Sequence, residues 1–151
     1  MSSTSRRVFL MQVAACGTSL VAVGAAHAQA VKLDEKDAQA VAEESELAPA
    51  AAELHARYGT AVLLKGGHLR GTEAVDWLHH AEGTQAYRAP FIPNVSTHGT
   101  GCTYAAAITS RLALGDSLPV AVAAAKHYVS HAIRTSFRWN EVQALNHFLV
   151  P

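Results

Sequence analysis

Ser96-Thr97-His98-Gly99-Thr100-Gly101-Cys102-Thr103 places two glycines around a threonine just ahead of an alanine-rich run, Tyr104-Ala105-Ala106-Ala107-Ile108. Cys102 stands where a helix should begin. Glycine lacks the Cβ that would keep neighbouring N–H groups from converging. A helix start adds N–H groups without intrahelical acceptors and a partial positive charge. Together they suit an oxyanion or a phosphoryl group in transfer. No Gly-Lys-Ser/Thr follows, so this is not a Walker A loop, and G-x-G-x-x-G spacing is absent. Taken alone, Gly99 to Cys102 fits a glycine-rich turn with an inert buried cysteine as well as it fits an anion site.

The flanking elements read as α/β. Pro49 to Tyr58 predicts a helix, with Pro49 in its first turn, Gly59 as its stop and Ala51, Leu54 and Tyr58 on one apolar face. Thr60-Ala61-Val62-Leu63-Leu64 is a short apolar run suited to a buried parallel strand, and with the helix it makes half of a crossover unit. Lys65 leaves that strand at its C-terminal end, where open α/β sheets bind ligands. Lys65-Gly66-Gly67-His68 therefore reads as a phosphate contact or as a solvated lysine beside a turn. Ala74–Leu78 and Gln85–Arg88 alternate as strands around Glu82-Gly83 and predict a hairpin carrying His79 and His80. Cys102 to Leu114 predicts a helix closed by Gly115. Asp116 or Ser117 then caps a last helix with Leu118, Val122, Ala125, Val129 and Ala132 toward the core. After Ser136 the tail is polar and aromatic.

The Ser96–Thr103 motif resembles the anion-hole signature of the hydroxymethylpyrimidine/phosphomethylpyrimidine kinases of thiamin synthesis, in the ribokinase-like superfamily. Ala61–Leu69, Ala125-Lys126-His127-Tyr128-Val129, Ala132-Ile133 and Ala144-Leu145-Asn146-His147-Phe148 extend the resemblance from about Leu47 to the C-terminus. It covers only the C-terminal part of such a kinase. The fold implied is a partial ribokinase-like three-layer α/β/α sandwich over 47–151. The activity implied is ATP-dependent phosphorylation of hydroxymethylpyrimidine or its monophosphate, with ATP and Mg²⁺ as cofactors and a small pyrimidine as substrate. By the same carry-over Gly99, Thr100 and Gly101 form the anion hole, and Cys102, at the position most relatives of the superfamily fill with aspartate, is the base. Thiols at helix N-termini ionise more readily than free ones. Lys65, Gly66, Gly67 and Thr97 are the implied nucleotide contacts. The family's pyrimidine pocket and acidic Mg²⁺ ligands come mainly from an N-terminal half with no match here. The implied alternatives are an inactive kinase fragment or fusion, or a fold completed by a second copy or a separate N-terminal half.

The 151 residues suffice for one domain with a core, and half are hydrophobic. Formal net charge is zero, so no basic surplus points to nucleic acid. Two cysteines, Cys16 and Cys102, cannot build a disulfide framework or a zinc knuckle. His127 and His131 share a helix face but lack a third ligand, so no metal site is expected. Lys126, Arg134 and Arg138 read as a solvated basic face, and Trp77 and Trp139 as packing residues.

The first 28 residues carry a different signal. Ser5-Arg6-Arg7-Val8-Phe9-Leu10, an uncharged stretch to Ala26, and Ala26-His27-Ala28 match a twin-arginine export leader, with a buried N-terminal helix as the other reading. The apolar part is too weak for a stable membrane span. Leader and Val31–Ala42 resemble the start of an exported high-potential iron–sulfur protein, whose cluster needs four cysteine thiolates. Residues 29–46 read as a charged linker or short helix. The kinase resemblance implies a cytoplasmic protein, and a working leader implies a periplasmic one.

Overall fold

The computed structural model describes residues 9–11, 44–66, 72–96, 98–140 and 142–148. The leader's cleavage site, most of the linker, Gly67, His68 and Thr97 lie outside them. The elements are β1 (Phe9–Met11), α1 (Glu44–Tyr58), β2 (Ala61–Lys65), β3 (Glu73–His80), β4 (Gly83–Pro90), α2 (Thr100–Ala113), α3 (Leu118–Arg134), β5 (Phe137–Trp139) and β6 (Val142–Ala144). One sheet runs β1-β2-β3-β4, and β5-β6 form a second. The chain divides into two compact units, residues 1–69 with 75–86, and 70–74 with 87–151.

The first unit is built on β2. Val62, Leu63 and Leu64 are all buried, as expected of an apolar run without alternation. Val62 and Leu64 pack with Leu47, Ala51 and Leu54 of α1, and Trp77 closes the cluster. Leu47, Ala51 and Leu54 lie at i, i+4 and i+7, one face of a helix. Burial of Leu47 carries α1 five residues upstream of the expected start. Pro49 is therefore inside the helix, where it removes one i→i−4 hydrogen bond.

The expected parallel pairing of β2 is not what forms. β2 is antiparallel to β1, Phe9 opposite Leu63, and antiparallel to β3, Leu64 opposite Trp77. The connection from Lys65 to Glu73 is too short for the crossover of a dozen or more residues that a parallel partner needs. The hairpin of β3 and β4 forms as the alternation implies. On it, the His79 ring lies 4.8 Å from that of His55 of α1, tilted at 53°. His55 Nδ1 donates to the Thr60 carbonyl at 2.7 Å, and His79 Nδ1 pairs with Thr84 Oγ1 at 2.6 Å. Desolvation, then His55 and His80, hold the His79 imidazole below its usual value of 6.5.

In the second unit α2 and α3 form an αα-hairpin. Thr103, Tyr104 and Ile108 of α2 are buried, as are Ala121, Val122, Ala125, Val129 and Ala132 of α3. The turn closes with Gly115 N–H on the Leu112 carbonyl and Asp116 N–H on the Arg111 carbonyl. Ser117 is the N-cap of α3, with Pro119 in the first turn. Tyr87 of β4 is buried, and its hydroxyl donates to the Pro119 carbonyl at 3.1 Å; desolvation raises its pKa. Leu118 is only half-buried. Lys126, expected in solvent, is 8 % exposed, because it shares the core-facing stripe with Val122 and Val129. Arg138 is on β5 rather than on a helix, and Trp139 is 80 % exposed rather than packed.

Leu64→Ala should cost the first unit about 2–5 kcal/mol, since the emptied site is walled by both α1 and β3. Urea unfolding followed by Trp77 fluorescence in a Trp139→Phe background reads it. His79 should make the same unit pH-dependent. With its folded value depressed, the unfolded chain takes the proton first as pH falls through 6.5, so stability present above that value is lost below it. The urea midpoint should be lower at about pH 5.5 than at about pH 7.5, and His79→Gln should narrow the difference.

Candidate functional site

The glycine turn ahead of α2 belongs to the second unit. Gly99 is the N-cap of α2 and has φ 83°, ψ −13°. A Cβ there would meet only Leu145 Cδ1, at 3.9 Å, so backbone conformation rather than space demands glycine. The first i→i−4 bond of α2 runs from Thr103 N–H to the Gly99 carbonyl at 3.0 Å. The amides of Gly101 and Cys102 therefore have no intrahelical acceptor. The N-cap is a glycine without a capping side chain, and the first turn holds no acidic residue, so the helix itself places no negative charge at its positive end. Cys102 is a free, exposed thiol. That removes the inert buried cysteine as a reading of this turn.

Lys65 and Gly66 belong to the first unit. Lys65 ends β2, half-buried, opposite Asp76 of β3. Gly66 N–H reaches the Val75 carbonyl at 2.9 Å and Asp76 Oδ1 at 3.1 Å. A Cβ on Gly66 would lie 2.2 Å from the Val75 carbonyl oxygen, so the chain leaves β2 pressed against β3. Asp76 is only 3 % exposed. Sequence reasoning placed it in a strand but gave it no task. A carboxylate at a core-facing position was the available signal, because a buried charge needs a partner.

Two further residues missed from the sequence hold the turn. Gln143 Oε1 accepts Ser96 N–H at 2.7 Å, and its Nε2 donates to Ser136 Oγ at 2.7 Å. Ser96 Oγ accepts His98 N–H at 3.4 Å. The tail beyond Gln143 is tied to α3 through Asn146 N–H on the Ala132 carbonyl and Tyr128 hydroxyl on the His147 carbonyl. Among the described residues no group of three or more His, Cys, Asp or Glu could hold a metal. No described helix is long and apolar enough to cross a membrane. The site as described thus fits phosphoryl oxygens through amides and offers no carboxylate set for Mg²⁺.

An amide-lined helix start on an α/β scaffold agrees with what the chain matches. Residues 20–146 match the family described as phosphomethylpyrimidine kinase. The chain belongs to the phosphomethylpyrimidine kinase family. The match reaches upstream of Leu47, across the segment read as linker. A hydroxymethylpyrimidine/phosphomethylpyrimidine kinase of Streptomyces coelicolor is 48% identical over 97 residues, 64% of this chain and 36% of that one. The thiamine biosynthesis bifunctional protein ThiED of Geobacter sulfurreducens is 44% identical over 94 residues, 62% of this chain and 19% of that one. The ADP complex of Bacillus subtilis pyridoxal kinase superposes with a TM-score of 0.65 at 34% identity, over 71% of this chain and 42% of that one. This phosphomethylpyrimidine kinase family member therefore has the α/β, ribokinase-like fold, and it spans about a third or less of the length of these curated relatives.

Gly99→Ala should cost about 1–2 kcal/mol through the left-handed backbone it must adopt. Gly101→Ala, already helical, should be close to neutral. Urea unfolding followed by far-ultraviolet circular dichroism separates the two.

Proposed function

We propose that this chain carries the phosphoryl-transfer half of an ATP-dependent kinase acting on hydroxymethylpyrimidine or its monophosphate. The observation that supports it best is the start of α2, where the successive amides of Gly101 and Cys102 lack intrahelical acceptors beside an exposed thiol. In this reading the amides of Thr100, Gly101 and Cys102 meet the charge that builds on the transferred phosphoryl oxygens, with Gly99 setting their direction. The Cys102 sulfur takes the proton of the substrate hydroxyl as the hydroxyl oxygen bonds the transferred phosphorus and ADP leaves. Lys65 meets nucleotide phosphate as a point charge, with Gly66, Gly67 and Thr97 shaping the approach. ATP supplies the phosphoryl group when bound. Mg²⁺ would be held through the nucleotide and by residues other than these.

The share of the relatives covered supports a second reading, a nucleotide-binding chain without turnover, completed by a second copy or a separate N-terminal half. Residues 1–28 remain proposed as a twin-arginine leader and 29–46 as a linker whose last three residues enter α1; a working leader would direct the chain to the periplasm, and its cleavage would remove the Phe9–Met11 strand from the edge of β2. Without a working leader the kinase would act in the cytoplasm.

Calorimetric titration of the full chain with MgATP tests both readings. Binding by the parent, abolished in Gly101→Asp, is expected, because a carboxylate at that point repels phosphate. Turnover is then assayed with hydroxymethylpyrimidine, its monophosphate and pyridoxal. Cys102→Ala should lower kcat by about 10²–10⁴ with nucleotide affinity retained. A folded parent that binds no nucleotide overturns both readings, and binding without turnover leaves the second.

A further inference from the structure

We propose that Gln143 is a positioning residue for the anion-binding turn, fixing the approach of Ser96 so that Gly101 and Cys102 present their amides in one direction. This rests on the role proposed for that turn. Residues 91–96, 98 and 99 lie in no helix or strand, and Ser96 and His98 are exposed. Such a segment has few internal restraints, yet it must deliver the chain to Gly99 in a left-handed conformation.

Gln143 supplies the restraint from outside the loop. Ser96 N–H can only donate, so the amide oxygen of Gln143 must face it, and the NH₂ group is left to donate to Ser136 Oγ. Both ends of the side-chain amide are thereby engaged at 2.7 Å. The backbone carrying it is held in turn. Gln143 pairs with Arg138 in the β5–β6 ladder, and Asn146 and His147 are bonded to α3. Leu145 from the same strand-and-tail segment lies beside Gly99. A continuous set of bonds thus runs from the end of α3, through the tail and Gln143, to the loop that enters α2. A phosphoryl site tolerates little misplacement, since an error of about 1 Å can cost 10²-fold in rate.

Gln143→Met keeps the length of the side chain and removes both hydrogen bonds. Trp139→Ala alters the same hairpin at an exposed residue without touching Ser96. We expect Gln143→Met to leave the melting temperature of the full chain unchanged, lower MgATP affinity about tenfold, and reduce ¹⁵N order parameters at Ser96 and from Gly99 to Cys102. Gln143→Glu, which still accepts from Ser96 N–H, should restore the order parameters. Trp139→Ala should change none of these. Unchanged order parameters in Gln143→Met overturn the proposal, whatever the affinity does. Lowered order parameters with unchanged affinity overturn it as well, because the restraint would then not serve binding. If the parent itself binds no MgATP, the proposed function fails, and the order parameters alone decide whether Gln143 sets the turn.

Discussion

The buried β2 strand is the constraint on which the first unit depends. With Val62, Leu63 and Leu64 all removed from solvent, both faces of the strand must be covered and both of its edges paired. Those demands bring α1 onto one face, draw β3 back along one edge and place Phe9–Met11 along the other. They also dictate how the chain departs. Gly66 leaves β2 with no room for a Cβ, and its amide is divided between the Val75 carbonyl and the Asp76 carboxylate. The geometry at Lys65 is thus a product of core packing before it is a property of any ligand site.

The second unit solves a different problem. The N-cap of α2 is Gly99, which has no side chain to cap the first turn, and the helix is anchored by the burial of Thr103, Tyr104 and Ile108 while Gln143 of the tail bonds Ser96 ahead of it. The first turn holds no acidic residue, and the Cys102 thiol is exposed.

Much of this was legible in the sequence wherever a local rule acted alone. The hairpin of β3 and β4, the glycine closing α2, Ser117 at the start of α3 and the α3 core stripe follow from turn chemistry and helical spacing. The readings that differed involved choices made by distant residues. Burial of Leu47 extends α1 past Pro49, and the brevity of the 66–72 connection turns an apparently parallel strand antiparallel. Lys126 and Trp139 exchange the exposures expected of a lysine and a tryptophan, because helix register and hairpin direction outweigh residue type. Glycine spacing announced the turn ahead of α2, while Asp76 in the first unit and Gln143 in the second carried no motif. Each acts through a hydrogen bond to a residue distant in sequence, ten positions away for Asp76 and forty-seven for Gln143, and no short window contains such pairs.

The pairing of Phe9 with Leu63 spans more than fifty residues, whereas α2 and α3 are joined by a tight turn. Contacts that close long loops are slow to form, and helical hairpins assemble from local ones. The α2–α3 hairpin should accordingly be the early-folding nucleus, with the edge of β2 left open until Phe9–Met11 arrives. During that interval the most apolar strand of the chain presents unpaired backbone groups to its surroundings, and it is there that self-association during refolding would begin.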